Sequence, residues 1–470
     1  MLSSRLSLIG FAGFSAKIAH AQHNSEQGGN AMLPPVLEIY GVWHPKDAEG
    51  AEVVQAFANH FHGTACTGLL RGTVEVYRRS VGWAGDGDAP RPIALPGQPA
   101  PPGQPAPAEW VTAVVVIGPD LIEAAQDPEG PWWHCIDRLL QHPHPRLKLL
   151  TVLLPGTRLD PRTKVGSAFG HLQGLGQLDA SRRPSPTPEQ RRRTRCRDLV
   201  QTLAQWMAGP STPPDTPVKV FISHTKHQSS PDEPVQALID QVHDALRGTR
   251  LDTFFDSNSL QNGDDWDAAL RREASQCAML ALRTDKYSSR EWCQREMRLA
   301  KQHGCPVVIL DALTHGERRG SFLMDHVPRI PVRNVTAGTP PTPWCADRIE
   351  TAINQLADAW LERIIWDRQQ AMCRTMQMFP EHWWAPQPPE PSTLSMWLSP
   401  DPQTPEAPVL PRPIKPHLKI LHPDPPLAED ERRLLGKIAA LAGVESLELT
   451  TPRLLAARSA GCMTTAGITP

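Results

Sequence analysis

Val111-Thr-Ala-Val-Val-Val-Ile117 is an unbroken β-branched and apolar run. A strand solvated on one face alternates apolar with polar residues, so a run like this belongs to a strand covered on both faces. Leu147–Leu154, Ala278–Leu282 and Pro306–Leu310 read the same way, and Val36–Trp43 and Val218–Ser223 are further strand patterns. Between them lie helical stripes: Val53, Val54, Phe57 and Phe61; Trp132 to Gln141; and Val235, Leu238, Ile239, Val242 and Leu246. Strands alternating with helices are βα units, and they predict an α/β fold with a parallel sheet.

At 470 residues the chain is too long for one ordinary core and suggests roughly three domains. Its 50 prolines cluster, which marks linkers and insertions. Gly85 to Pro107, with Pro-Gly-Gln-Pro-Ala written twice, reads as a flexible surface insertion. Leu199, Leu203, Trp206 and Met207 stripe a helix that closes the first α/β segment, residues 35–208. The strands Asp252–Asp256 and Ile330–Arg333, a helix around Trp266 to Ala274 and a long helix striped by Ile349, Ile353, Leu356, Trp360 and Ile364 extend the second, residues 217–366.

Net charge is −2, which gives no reason to expect nucleic acid or an anionic membrane as partner. The arginines from Arg182 to Arg197 lack interleaved aromatics and read as a solvated linker and helix face. Nine scattered cysteines without a Cys-x-x-Cys pair suit a reducing, cytoplasmic compartment and predict no metal site. Arg5, the apolar Leu6 to Phe14 and Ala19-His20-Ala21 imitate a secretory signal, but Lys17 interrupts it and Met32 offers a later start. Residues 1–34 are therefore expected to be a disordered leader or a mis-assigned start. No apolar run reaches the roughly 18 residues of a membrane helix.

Within Tyr287-Ser-Ser-Arg-Glu-Trp-Cys-Gln-Arg-Glu296, Trp292 and Glu296 stand at i and i+4 on one helix face, just after the strand Ala278–Leu282. Open parallel sheets bind ligands where strand gives way to helix, so this pair is the candidate site. The first half carries a parallel arrangement, Trp133-His-Cys-Ile-Asp137, and its closing Arg195–Leu199 parallels Cys345–Ile349. Weak internal symmetry of this kind predicts two tandem copies of one domain, with Asp137 as a shortened and inactive counterpart of Glu296. Two unrelated α/β domains remain the alternative.

Residues 217–366 resemble a bacterial TIR (Toll/interleukin-1 receptor) domain. The carrying boxes are Phe221-Ile-Ser-His224, Phe255 to Trp266 and Tyr287 to Glu296. The resemblance implies a flavodoxin-like fold and, in catalytic members, cleavage of the nicotinamide–ribose bond of NAD+ by a glutamate at the place of Glu296. It also implies Phe221, Ser223, Trp266 and Trp292 as pocket residues, NAD as substrate rather than cofactor, and self-association, with Ser257, Leu260, Asn262 and Gly263 in an interaction loop. Arg283 and Thr284 depart from the family, which often has a serine after this strand. The expected function is NAD+ hydrolysis in bacterial defence signalling, set off by a protein trigger. The alternatives are a non-catalytic TIR scaffold and a nucleotide sensor.

Residues 367–416, with Trp383, Trp384, Trp397 and a Pro-rich run, read as a Trp/Pro-rich linker. Leu418–Leu421, Leu427–Leu441 and Val444–Leu449 predict a small βαβ-like unit over 417–460, too small to stand alone.

Overall fold

The computed structural model of the chain describes residues 35–62, 74–85, 87–99, 107–172, 174–176, 187–208, 219–225, 235–249, 253–256, 277–317, 319–332, 344–399, 410 and 415–459. The chain divides into two compact units, one of residues 1–174, 424–426 and 450–470, the other of 175–423 and 427–449. The leader therefore lies outside the described residues.

The first unit is built on β1 (Leu37–Val42), β2 (Val74–Arg79), β3 (Trp110–Ile117) and β4 (Leu147–Leu153), in the order β2-β1-β3-β4 with every pair parallel. All of β1 and β3 is buried, as two-sided covering requires. Helix α1 (Ala48–His62) buries Val53, Val54, Phe57 and Phe61. It packs so closely on β1 that a Cβ at Gly41 would stand 2.5 Å from Val54. Short α2 (Pro119–Ala124), α3 (Pro131–Leu140) and α4 (Lys164–Phe169) follow in sequence order around β4.

Two readings change here. The middle of the Pro-rich insertion is core: Ile93 and Leu95 are buried with Val111 and Trp132, and the Trp132 indole N–H donates to the Gly87 carbonyl at 3.1 Å. Two aliphatic side chains among prolines are enough to seat an extended segment on an apolar face. Asp137 is held differently from Glu296. The buried face of α3 is set by Trp132, Ile136 and Leu139, and Asp137 falls off it, accepting from Gln141 Nε2 in an exposed contact at 3.4 Å.

In the second unit β5 (Lys219–Ser223), β6 (Thr253–Asp256), β7 (Cys277–Arg283), β8 (Val307–Asp311) and β9 (Arg329–Pro331) form a sheet of order β6-β5-β7-β8-β9, again parallel throughout. This mixed α/β arrangement around a parallel sheet accords with a TIR flavodoxin-like fold. Helices α5 (Pro188–Ala208), α6 (Val235–Arg247), α7 (Glu291–His303) and the 30-residue α8 (Ala346–Thr375) belong to this unit. Helix α5, read above as the end of the first copy, packs on α8: Arg197 pairs with Glu350 at 3.1 Å, and Arg368 Nε donates to the Met207 carbonyl at 2.9 Å. Arg197 is thereby an interior residue. Arg192 and Arg193 pair with Glu189 on the outer surface of the same helix.

The expected linker is largely structured. Helix α8 runs on to Thr375, and then come β10 (Trp383–Trp384) and α9 (Pro391–Leu398). With β11 (His417–Leu421), α10 (Glu429–Leu441) and β12 (Ser446–Thr450) they make a small sheet, ordered β10-β11-β12, over a core that includes Leu394, Trp397, Ile420 and Leu435. The βαβ-like unit is thus completed by the tryptophan segment. A last helix, α11 (Pro452–Ser459), belongs to the first unit.

Candidate functional site

Strands β5 and β7 are neighbours at the centre of the second sheet, in register with Phe221 beside Met279 and Ser223 beside Ala281. The chain leaves β7 through Thr284 and Asp285, makes one 3-10 turn at Tyr287–Ser289 and enters α7 at Glu291. This strand-to-helix junction is tied down by charge. Arg283 at the end of β7 donates to Glu317 at 2.6 Å and to Asp311 at 3.3 Å, and Glu317 also accepts from the Ser288 backbone N–H at 2.9 Å and hydroxyl at 2.8 Å. Asp285 accepts the backbone N–H groups of Thr314, His315 and Gly316 at 2.8, 2.8 and 3.0 Å. Partial burial would raise its carboxyl, but these three donors outweigh it and hold Asp285 below the usual carboxylate range.

On α7 the apolar face is Cys293, Met297 and Ala300, packed with Phe221, Met279, Ala281 and Tyr287. Glu296 lies on that buried side and is 2 % exposed. Its Oε2 accepts a 2.5 Å hydrogen bond from Ser223 Oγ, and the same Ser223 oxygen stands 2.5 Å from the Tyr287 hydroxyl. Three residues from β5, the 3-10 turn and α7 thus meet around one serine oxygen. Burial, then the nearby Cys293 and Glu296, drive the Tyr287 phenol well above its ordinary value, so it stays protonated.

The named residues are placed as follows. Phe221 is 2 % exposed and belongs to the apolar core. Ser223 contacts Glu296 directly. Trp292 is half-buried, with the Arg295 guanidinium 5.8 Å from its ring centroid. Trp266 and the loop residues Ser257, Leu260, Asn262 and Gly263 lie outside the described residues. Sequence reading missed Tyr287, although it opens the quoted box; its hydroxyl reaches a strand 64 residues earlier, which no local spacing reveals.

Two further hydroxyls at this strand-end edge, Thr225 Oγ1 after β5 and Thr284 Oγ1 after β7, are buried and make no hydrogen bond among the described residues. Such groups cost free energy until a polar partner arrives. The first turn of α7 also lines an open basin with Ser288, Ser289, Gln294, Glu317, Arg319 and Phe322, and Glu296 does not open into it. Among the described residues no cluster of three or more His, Cys, Asp or Glu could hold a metal ion. No described helix is long and apolar enough to cross a membrane.

Residues 220–321 match the TIR domain family. No curated protein matches the chain. The chain thus contains a TIR domain, and Ser223, Tyr287 and Glu296 lie within the matched stretch.

Proposed function

We propose that the TIR domain of this chain is an NAD+ hydrolase with Glu296 as its catalytic carboxylate, acting in bacterial defence signalling in the cytoplasm. The observation that carries the reading is the glutamate of α7 held by Ser223 of β5 at the edge where the central strands end. In this reaction the bond between ribose C1′ and the nicotinamide nitrogen breaks with its electron pair passing to nitrogen, so nicotinamide leaves neutral. Water adds to C1′ and loses a proton, giving ADP-ribose. Positive charge develops on the sugar on the way, and a preorganised carboxylate stabilises it. Because the leaving group needs no proton, one carboxylate suffices. Glu296 would also accept hydrogen bonds from the ribose hydroxyls, and Thr225 and Thr284 offer the unpaired hydroxyls that a sugar or diphosphate could satisfy.

Glu296 is covered in the single chain, so we assign activity to an assembled state in which TIR domains self-associate after a protein trigger. The same burial favours the second reading, a TIR scaffold whose glutamate is structural. One measurement separates the two. Concentrated or force-oligomerised protein is incubated with NAD+ beside its Glu296→Gln variant. The enzyme reading expects nicotinamide release that falls at least about 100-fold in the variant, the scale on which a key electrostatic group acts; equal, background release from both sinks it.

We further propose that the part of residues 35–208 that lies in the first unit, 35–174, carries a degenerate second copy of the TIR fold. The shared sheet order supports the duplication, and the position of Asp137 off the buried face of α3 supports the loss of chemistry. Asp137→Asn accordingly leaves nicotinamide release unchanged.

A further inference from the structure

We infer that Tyr287 is a positioning residue for Glu296, acting through Ser223, an assignment that rests on the hydrolase reading above. Ser223 Oγ has one hydrogen and two close oxygen neighbours, Glu296 Oε2 and Tyr287 Oη, each at 2.5 Å. The serine proton goes to Glu296 Oε2. The phenol must then donate to the serine. Fully buried, Tyr287 keeps its proton, and the chain runs one way: Tyr287 to Ser223 to Glu296.

Polarity of this kind does two things. It leaves the serine hydroxyl one favourable rotamer instead of three, since its hydrogen is directed at Glu296 and one of its two lone pairs is claimed by the phenol. It also fixes one oxygen of the carboxylate, so that the plane of the group, and with it the direction of the second oxygen, is set before any sugar arrives. A carboxylate that is already oriented need not reorganise as charge develops at C1′. The ring of Tyr287 is locked into the core formed by Phe221, Met279, Cys293 and Met297, which is what allows its hydroxyl to act as a fixed reference. Tyr287 itself touches no substrate in this scheme, so its loss affects the rate more than the affinity.

The test uses the full chain and the conservative variant Tyr287→Phe, which keeps the ring. Tyr287→Phe is expected to lower kcat about 10-fold with KM within about twofold, and Tyr287→Phe with Ser223→Ala is expected to lose no more than Ser223→Ala alone, because both cut one chain. Ser223→Thr, which restores a hydroxyl, recovers part of the rate. Additive losses, or a change confined to KM, overturn the inference. If the wild type and Glu296→Gln release no nicotinamide alike, the hydrolase reading has failed, and denaturant unfolding of Tyr287→Phe, Glu296→Gln and the double variant decides the hydrogen-bonded chain: coupled losses support it and strictly additive losses overturn it.

Discussion

Glu362 on α8 is a second carboxyl whose surroundings make a measurable claim. Burial, helped by the negative charge of Asp358 one turn earlier, raises it from 4.5 to about 8. The folded chain therefore keeps a proton there that the unfolded chain releases above about 4.5, and the stability this gives is complete below that value and lost as pH rises through about 8. Glu362→Gln should flatten this loss: between pH 6 and pH 9 the wild-type melting temperature should fall at least about 2 °C further than the variant's. Parallel melting curves would show that Glu362 titrates alike in both states. At this scale the sequence was informative where the signal is local. Helix spacing sets Trp292 and Glu296 one turn apart on α7, where Glu296 is buried and Trp292 half-buried, and the same spacing at Trp133 and Asp137 does not bury the carboxylate, because the phase of a helix is fixed by which side chains find the core rather than by the residue pair chosen. Tyr287 was invisible for the converse reason, its partner lying across the sheet.

Among the elements, α7 shows how a helix is held at both ends. Its start is tied through the Arg283, Glu317 and Ser288 contacts, and its end is a glycine-terminated cap. Gly304 has φ 66°, and the Cys305 N–H reaches back to the Ala300 carbonyl at 2.8 Å. A Cβ at Gly304 would stand 2.5 Å from Pro386 Cβ and 2.6 Å from Arg363. Gly304→Ala is therefore expected to cost more than about 1 kcal/mol in denaturant unfolding, from the left-handed backbone alone, with the contact adding to it. An unchanged midpoint would mean that the cap and its neighbours shift freely. The strands were readable because β-branched runs have few other uses, whereas the order of the sheet and the burial of Ile93 and Leu95 depend on pairings that no window of sequence contains.

For the second unit as a whole, the decisive contacts are those between α7 and the chain that follows β8. Lys301 Nζ donates to Glu390 Oε2 and to the Asp325 carbonyl, each at 2.7 Å; Gln387 Nε2 donates to the Lys301 carbonyl at 3.1 Å, and the Trp397 indole to the Gln302 carbonyl at 3.3 Å. Trp397 is fully buried, so Trp397→Ala should cost about 3–5 kcal/mol and open this region first. Limited proteolysis should then cut between 376 and 449 before it cuts the main sheet; a pattern identical to wild type would show that the tryptophan does not hold the segment. Proline-rich, tryptophan-bearing sequence suggested a linker because its two elements are short and their partners distant, one of them an eight-residue helix. The stretch recognisable as a TIR domain, 220–321, ends before α8 begins and before any of the residues that grip Lys301 and Gln302. The portable piece and the self-supporting piece are therefore different pieces. Recombination that carried the recognisable stretch into another protein would have to find there a substitute for α8 and for the Trp397 anchor, or the helix bearing Glu296 would arrive with its far end unsupported.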